Sequence, residues 1–319
     1  MHPGFSIIFF TTATGAGYGL LFAMALFAAI GVLPSGVGFS LTGFALAFAL
    51  ITAGLVSSTF HLGHPERAWR ALSQWRSSWL SREGIAALAT YPVAGSFVLD
   101  WLFRGWGAGT DELLPILALA TALMCVVTVV CTGMIYASLK PIRRWCNGWV
   151  MPIYLALALM TGALWLNALT LTFGESRPAL AGLAAAATVL ACLLKLGYWR
   201  FIDGDQGGPT AETATGLGAL GQVRLFEAPH TSENFLQKEM GYQIARKHAA
   251  ELRRVTIWGG FAAPLLFTLA AVGLGGGWTA AVLTLLAAAL ASAGVVVERW
   301  LFFAEAKHTV TLYYGAAAV

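Results

Sequence analysis

Eight long apolar segments, separated by short polar ones, make up most of this chain. A helix that crosses a bilayer needs about 20 apolar residues, and each segment meets that length. None shows the alternating pattern of an outer-membrane barrel strand. The pattern therefore predicts an all-α integral membrane protein, one eight-helix bundle over residues 1–319. The predicted spans are roughly 9–33, 39–61, 84–103, 115–138, 149–172, 179–199, 255–274 and 279–299.

Composition supports a membrane protein and excludes an ordinary soluble domain. The chain is 58% hydrophobic and only 11% charged, whereas soluble domains carry about 25% charged residues. Its net charge of +4 comes from basic residues in the loops between apolar spans, which indicates contact with lipid headgroups and no nucleic-acid partner. The four cysteines have no metal-ligand spacing, so no metal site is predicted.

The first span contains three closely spaced glycines, in the sequence TGAGYG. No strand precedes them, so a nucleotide-binding loop is disfavoured. Small residues let membrane helices approach closely, and we expect Gly15, Gly17 and Gly19 to serve that purpose.

Lysine and arginine residues are strongly segregated between the two sides of the predicted bundle. Sixteen of the 19 fall at the C-terminal end or in the loops after spans two, four and six, and only Arg104 and Arg177 fall on the other side. The positive-inside rule then places both termini in the cytoplasm. We expect the membrane to be the inner membrane of a bacterium. Lys195 lies within span six, near its end, where we expect its amine to reach the headgroups.

Residues 61–83 form a polar connection between spans two and three. Large apolar side chains recur there at spacings of three, three and four, which predicts an amphipathic helix lying in the membrane interface. Ser81 is a predicted N-cap for span three. The apolar positions are Trp69, Leu72, Trp75 and Trp79.

Residues 200–254 form the one large extramembrane segment predicted. A turn-rich stretch is followed by a polar helical one, SENFLQKEMGYQIARKHAAELRR. Such a segment is either a solvated helix or a docking surface for a partner protein, and the sequence leaves both open.

The polar residues near the charged side suit a quinone site. Quinone turnover moves two electrons and two protons, so it needs hydrogen-bond donors and a titratable group; histidine and a buried carboxylate provide both. His61 ends span two and Glu83 begins span three, at the same depth. Topology allows Arg67, Arg299 and His308 to join them. Haem between His61 and His308 is disfavoured, because both lie at span ends.

Each of these residues also has a simpler interpretation. His61 can be an interfacial helix end and Glu83 a first-turn acid that favours the helix dipole. Arg299 can form an ordinary interfacial ion pair with Glu298, and Arg67 can bind lipid phosphates.

Three stretches resemble the membrane anchor subunit family of dimethyl sulfoxide reductases. They are HLGHPERAW at 61–69, SREGI at 81–85 and ERWLFFAEAKHTV at 298–310. The resemblance implies eight helices, no haem, and a quinol site beside an iron–sulfur subunit that serves a molybdopterin catalytic subunit. It also implies that the family's quinol-linked histidine, glutamate and arginine fall on His61, Glu83 and Arg67.

The long loop at 200–254 is similar to that of the sulfite-oxidising branch, whose complexes face the cytoplasm and reduce quinone. We therefore favour the anchor of a sulfite dehydrogenase. The alternatives are the anchor of a dimethyl sulfoxide or N-oxide reductase that oxidises quinol, and a purely structural tether. The quinone, menaquinone or ubiquinone, stays open. A transporter is disfavoured, because no charge is expected at mid-membrane.

Overall fold

The described residues form a multi-pass bundle with eight helices that are long and apolar enough to cross a membrane, which confirms the predicted fold class. The computed structural model describes residues 4–60, 62–105, 112–204, 208–227, 231–232, 234, 237–238 and 248–319. The spans are α1 (Phe5–Ala29), α2 (Val37–Thr59), α3 (Trp79–Gly105), α4 (Leu113–Ala137), α5 (Val150–Thr172), α6 (Pro178–Gly204), α7 (Ala249–Leu274) and α8 (Gly277–Ala304). The middle of α7, Thr256–Ala262, is π-helical.

Consecutive helices run in opposite directions. Gly54 packs against Thr14, and Gly17 packs against Ile51, so α2 runs antiparallel to α1. The alternation places the start of α1, the end of α8 and the connections after α2, α4 and α6 on one face. We call this the terminal face.

The helices α1 and α5 form the centre of the bundle and are its most buried spans. A Cβ atom on Gly19 would lie 1.8 Å from the carbonyl oxygen of Ala158, and one on Gly162 would lie 2.0 Å from the carbonyl carbon of Gly19. Only glycine permits this approach, which confirms the role predicted for Gly17 and Gly19. Gly15 differs, because nothing lies within 4 Å of its Cβ position.

The connection between α2 and α3 contains a helix, as predicted, and this helix is of the 3₁₀ type. Pro65–Gln74 is a 3₁₀-helix, and none of its residues is buried. Side chains three residues apart align in a 3₁₀-helix, so the spacing of Trp69, Leu72 and Trp75 fits this geometry. The N-cap prediction for Ser81 is wrong: α3 begins at Trp79, and the hydroxyl of Ser78 accepts from the Ser81 amide at 3.4 Å.

The C-terminal segment closes over the terminal face. Ala211 donates its amide to the carbonyl of Ala317 at 3.1 Å, and Val319 donates to the carbonyl of Pro209 at 3.2 Å. The described part of the connection between α6 and α7 is therefore tied to the chain end. Because α6 continues to Gly204 and α7 begins at Ala249, that connection is residues 205–248, somewhat shorter than predicted.

Candidate functional site

Glu83 lies in the first turns of α3 and is buried, with 4% of its surface exposed. Its carboxyl oxygen forms a short hydrogen bond with the hydroxyl of Thr132 on α4. That hydroxyl also lies 3.1 Å from the carbonyl oxygen of Thr128. Thr132 has one proton and two acceptors within reach, so it can bond to Glu83 whether the carboxyl is ionised or protonated.

A small polar cavity lies beside Thr132, between α1, α4, α5 and α8. Its volume is about 20 Å³, and its polar lining includes Thr132, Tyr154 and Arg299. The hydroxyl of Tyr154 and the Nη1 atom of Arg299 are buried and have no hydrogen-bond partner among the described residues. The cavity thus links two of the predicted site residues, Glu83 through Thr132 and Arg299 directly.

Arg299 belongs to a buried ion cluster made by α6 and α8. Its Nη2 atom donates to Glu298 at 2.9 Å, and Lys195 pairs with the same Glu298 oxygen. All three side chains are at most 2% exposed. The guanidinium also lies 4.3 Å from the ring centre of Tyr154, and the Lys195 ammonium lies 4.2 Å from that of Tyr198.

This geometry corrects two expectations. Lys195 does not reach the headgroups, because its ammonium is buried against Glu298. The pair of Glu298 and Arg299 is not interfacial but interior.

A second ion cluster lies closer to the terminal face. Arg253 at the start of α7 binds Asp203 at 2.6 Å and Glu305 at 2.7 Å. Glu305 is buried, whereas the Asp203 side chain is 55% exposed. The indole of Trp199 stands between the clusters, 5.4 Å from the Arg253 guanidinium and 5.1 Å from the Lys195 ammonium.

An apolar cavity of about 240 Å³ adjoins the polar one. The two share Val129 and Ala158 in their linings. Tyr18 also lines the apolar cavity, and its buried hydroxyl has no hydrogen-bond partner among the described residues. The remaining lining residues are apolar or glycine, from α1, α4 and α5.

The other three predicted site residues lie outside these cavities or outside the described residues. His61 is one of the residues that the structure does not describe. Arg67 is exposed on the 3₁₀-helix, with its Nε atom 3.7 Å from Glu66. His308 caps the short helix Thr309–Leu312, where its Nδ1 atom accepts from the Val310 amide at 3.0 Å. Arg67 and His308 are thus not brought to the cavity that joins Glu83 and Arg299.

Sequence reasoning missed Lys195, Glu298, Tyr154 and Thr132 as parts of this site. A signal was present for two of them, because an ionisable residue within a predicted span marks a candidate functional group. Lys195 and Glu298 both lie inside their spans and carry opposite charges. Tyr154 and Thr132 gave no signal, since such residues are common in membrane helices.

Known proteins match this chain over much or all of its length. Residues 1–198 match the family described as DMSO reductase anchor subunit (DmsC). The whole chain is also 33% identical over 332 residues to a sulfite dehydrogenase subunit of Allochromatium vinosum, with 100% of both chains covered.

Proposed function

The chain belongs to the DMSO reductase anchor subunit family, and on that premise we propose that it is the quinone-binding anchor of a three-subunit molybdopterin and iron–sulfur oxidoreductase. In this role it carries no haem and does no substrate chemistry. It exchanges electrons between the membrane quinone pool and an iron–sulfur subunit, which in turn serves the molybdopterin catalytic subunit. The observation that carries the proposal is the buried Glu83 carboxyl, which Thr132 links to a polar cavity that adjoins an apolar one.

A quinone site needs space for the ring and polar groups for proton exchange, and the two cavities differ in which of these they suit. The polar cavity, at about 20 Å³, has room for a water molecule but not for a ring. The apolar cavity, at about 240 Å³, exceeds the roughly 150 Å³ of an engineered cavity that binds benzene. Tyr18 can donate a hydrogen bond to a carbonyl there. We therefore assign the ring to the apolar cavity.

A bound quinone supplies two-electron, two-proton redox chemistry. Glu83 gives or takes the proton, because it can be held by Thr132 in either protonation state. Arg299 provides positive charge next to the site, and the surrounding apolar residues exclude bulk water. His61 and Arg67 stay proposed residues of the quinone site, with His61 as a hydrogen-bond donor to the quinone.

Glu83→Gln tests this function. We expect the complex to assemble and to lose quinone-linked turnover, because glutamine cannot carry the proton. Asp100→Asn is the matched control, since it makes the same change in α3 near the opposite end of the helix. His61→Ala should also lose turnover. Normal turnover in Glu83→Gln and His61→Ala would favour the structural tether.

Sulfite is the favoured substrate of the catalytic partner. A relative that matches over its full length is a sulfite dehydrogenase subunit. The sequence resemblance of residues 200–254 to the sulfite-oxidising branch supports the same substrate. Dimethyl sulfoxide or an N-oxide is the alternative. Identification of the proteins that co-purify with the tagged chain decides between them, because a catalytic partner that oxidises sulfite would support only the first.

The connection between α6 and α7 is the proposed docking surface for the iron–sulfur subunit. Its described part carries Phe226, fully exposed, and Leu220, 86% exposed, beside a groove of about 840 Å³. Large exposed apolar side chains mark interaction sites. A Phe226→Asp, Leu220→Asp variant should lose the co-purifying subunit, whereas Ile30→Asp on the opposite face should keep it. Unchanged co-purification would refute this docking surface.

The charge distribution supports a cytoplasmic terminal face in the inner membrane of a bacterium. A fluorescent reporter fused after Val319 should fold and fluoresce in the cytoplasm. A reporter active only in the periplasm would reverse the orientation.

A further inference from the structure

Glu83 needs a path for its proton. Its carboxyl is buried, and Leu72 packs over the neighbouring Gly84, with a methyl carbon 2.9 Å from the Cβ position of that glycine. Bulk water at the terminal face therefore has no direct contact with the carboxyl. A group that exchanges protons during turnover must be connected to water by other polar groups or by ordered water molecules.

The polar cavity supplies the first connection. A buried water needs about 10–15 Å³ and two to four polar partners, and the cavity offers about 20 Å³. Thr132, Tyr154 and Arg299 line it, and the last two present buried donors without a partner among the described residues. A water molecule here would bond to both donors and reach the Thr132 hydroxyl that holds Glu83.

The buried ion cluster supplies the second connection. Glu298 binds Arg299 through two nitrogen atoms, at 2.5 and 2.9 Å, and binds Lys195 as well. Arg299 is therefore in contact with the cavity on one side and with a titratable pair on the other. Lys195 and Glu298 can exchange a proton within their ion pair without a change in the net charge of the cluster.

The outer ion cluster supplies the connection to water. Glu305 lies seven residues after Glu298, two turns along the same face of α8, which corresponds to about 10 Å along the helix. Arg253 binds Glu305 and also Asp203, whose side chain is more than half exposed. Ionisable groups thus run from the surface of the terminal face to the cavity beside Glu83.

We propose that these groups form a proton path between the terminal face and Glu83. The proton passes in turn over Asp203, Glu305, the pair of Lys195 and Glu298, the cavity water and the Thr132 hydroxyl. Arg253 and Arg299 stay protonated and hold the carboxylates and the water in place, and ordered water bridges the roughly 10 Å between Glu305 and Glu298. The path rests on the proposed function. For each quinone reduced, two electrons come from the iron–sulfur partner and two protons enter from water by this path; oxidation of quinol reverses both flows.

Two variants interrupt the path at different points. Glu305→Gln changes the outer cluster and leaves the pair of Arg253 and Asp203 in place. A double variant, Lys195→Met with Glu298→Gln, removes both titratable groups of the inner cluster and avoids a buried lysine without its carboxylate. We expect at least tenfold slower quinone-linked turnover in each and a larger solvent isotope effect, with an unchanged Kd for a short-chain ubiquinone. Asp100→Asn should match the wild type.

A second measurement uses the complex without quinone. The infrared C=O band of protonated Glu83, identified by its loss in Glu83→Gln, shifts when the proton exchanges for deuterium. Transfer into D₂O should move this band at least tenfold more slowly in Glu305→Gln and in the double variant. If the double variant fails to assemble, Glu305→Gln alone tests the proton path.

The results distinguish a failure of the proposed proton path from a failure of the proposed quinone function. Wild-type turnover and wild-type deuterium exchange in Glu305→Gln would overturn the path and leave the quinone function intact. A wild-type complex that neither binds nor turns over a short-chain ubiquinone or a short-chain menaquinone would overturn both. Slow exchange together with an unchanged quinone Kd would support the path.

Discussion

The buried cluster of Lys195, Glu298 and Arg299 should respond unequally to the loss of its two kinds of charge. Glu298 is the carboxylate that both cations share, so Glu298→Gln leaves two buried positive charges without their shared counterion. Lys195→Met leaves Glu298 bound to Arg299 through two hydrogen bonds, and the net charge of the cluster falls from +1 to zero.

The expected magnitudes differ accordingly. Removal of one partner from a buried ion pair costs about 3–5 kcal/mol, because the remaining charge has no compensation. We expect a loss of that size for Glu298→Gln. Lys195→Met should cost less than about 1.5 kcal/mol, since the thioether fills a similar volume against Tyr198 and Trp199.

Unfolding of the solubilised chain by denaturant, followed by the fluorescence of its 12 tryptophans, measures the difference. Asp100→Asn is the control, because it also replaces a carboxylate by an amide but lies near the opposite end of the bundle, where its partner is Arg104 in the same helix. Equal losses in Glu298→Gln and Lys195→Met, or a larger loss in Lys195→Met, would refute the assignment of Glu298 as the shared counterion.

Three further predictions concern packing, the Glu83 bond and pH. Gly19→Ala should destabilise the bundle by about 1–3 kcal/mol or more in the same unfolding assay, whereas Gly15→Ala should be neutral, since its Cβ position is open. Thr132→Val should cost about 1–3 kcal/mol and slow quinone turnover, because it leaves the Glu83 carboxyl unbonded. Partial burial lowers the pKa of His308 below 6.5, so its cap is stable when neutral and is lost as pH falls below 6.5. The protection factor of the Val310 amide, which is its hydrogen-exchange rate corrected for the intrinsic effect of pH, should fall as pH is lowered, and His308→Asn should remove this fall.

The number and type of the elements were predictable, because apolar segments of bilayer length have few alternatives to a helix. The kind of helix at residues 65–74 was not. Spacings of three and four suggest an α-helix, and the 3₁₀ geometry depends on packing against the start of α3. That packing brings the Ser81 hydroxyl to the backbone of Ala71, a contact that sequence spacing alone does not reveal.

The sequence predicted how far along the membrane normal the site residues lie, but not which helices bring them together within the bundle. Topology placed Glu83, Arg299 and His308 near one face, yet the cavity is lined by Arg299 and by Thr132, the partner of Glu83, and not by His308. Lateral position depends on which helices are neighbours, and the contacts of α1 with α5 and of α5 with α8 join segments more than 100 residues apart. The same limit explains Lys195, whose partner Glu298 lies on another helix.

The central position of α1 has a consequence for the biogenesis of the protein. It is synthesised before the other seven described spans, yet α5, which packs against its Gly19, follows more than 100 residues later. During that interval the side of α1 around Gly19 faces lipid or the insertion machinery. The centre of the bundle therefore forms only after half the chain has been inserted, and a nascent chain that ends before Val150 should leave Gly19 open to a lipid-phase probe in a Gly19→Cys variant.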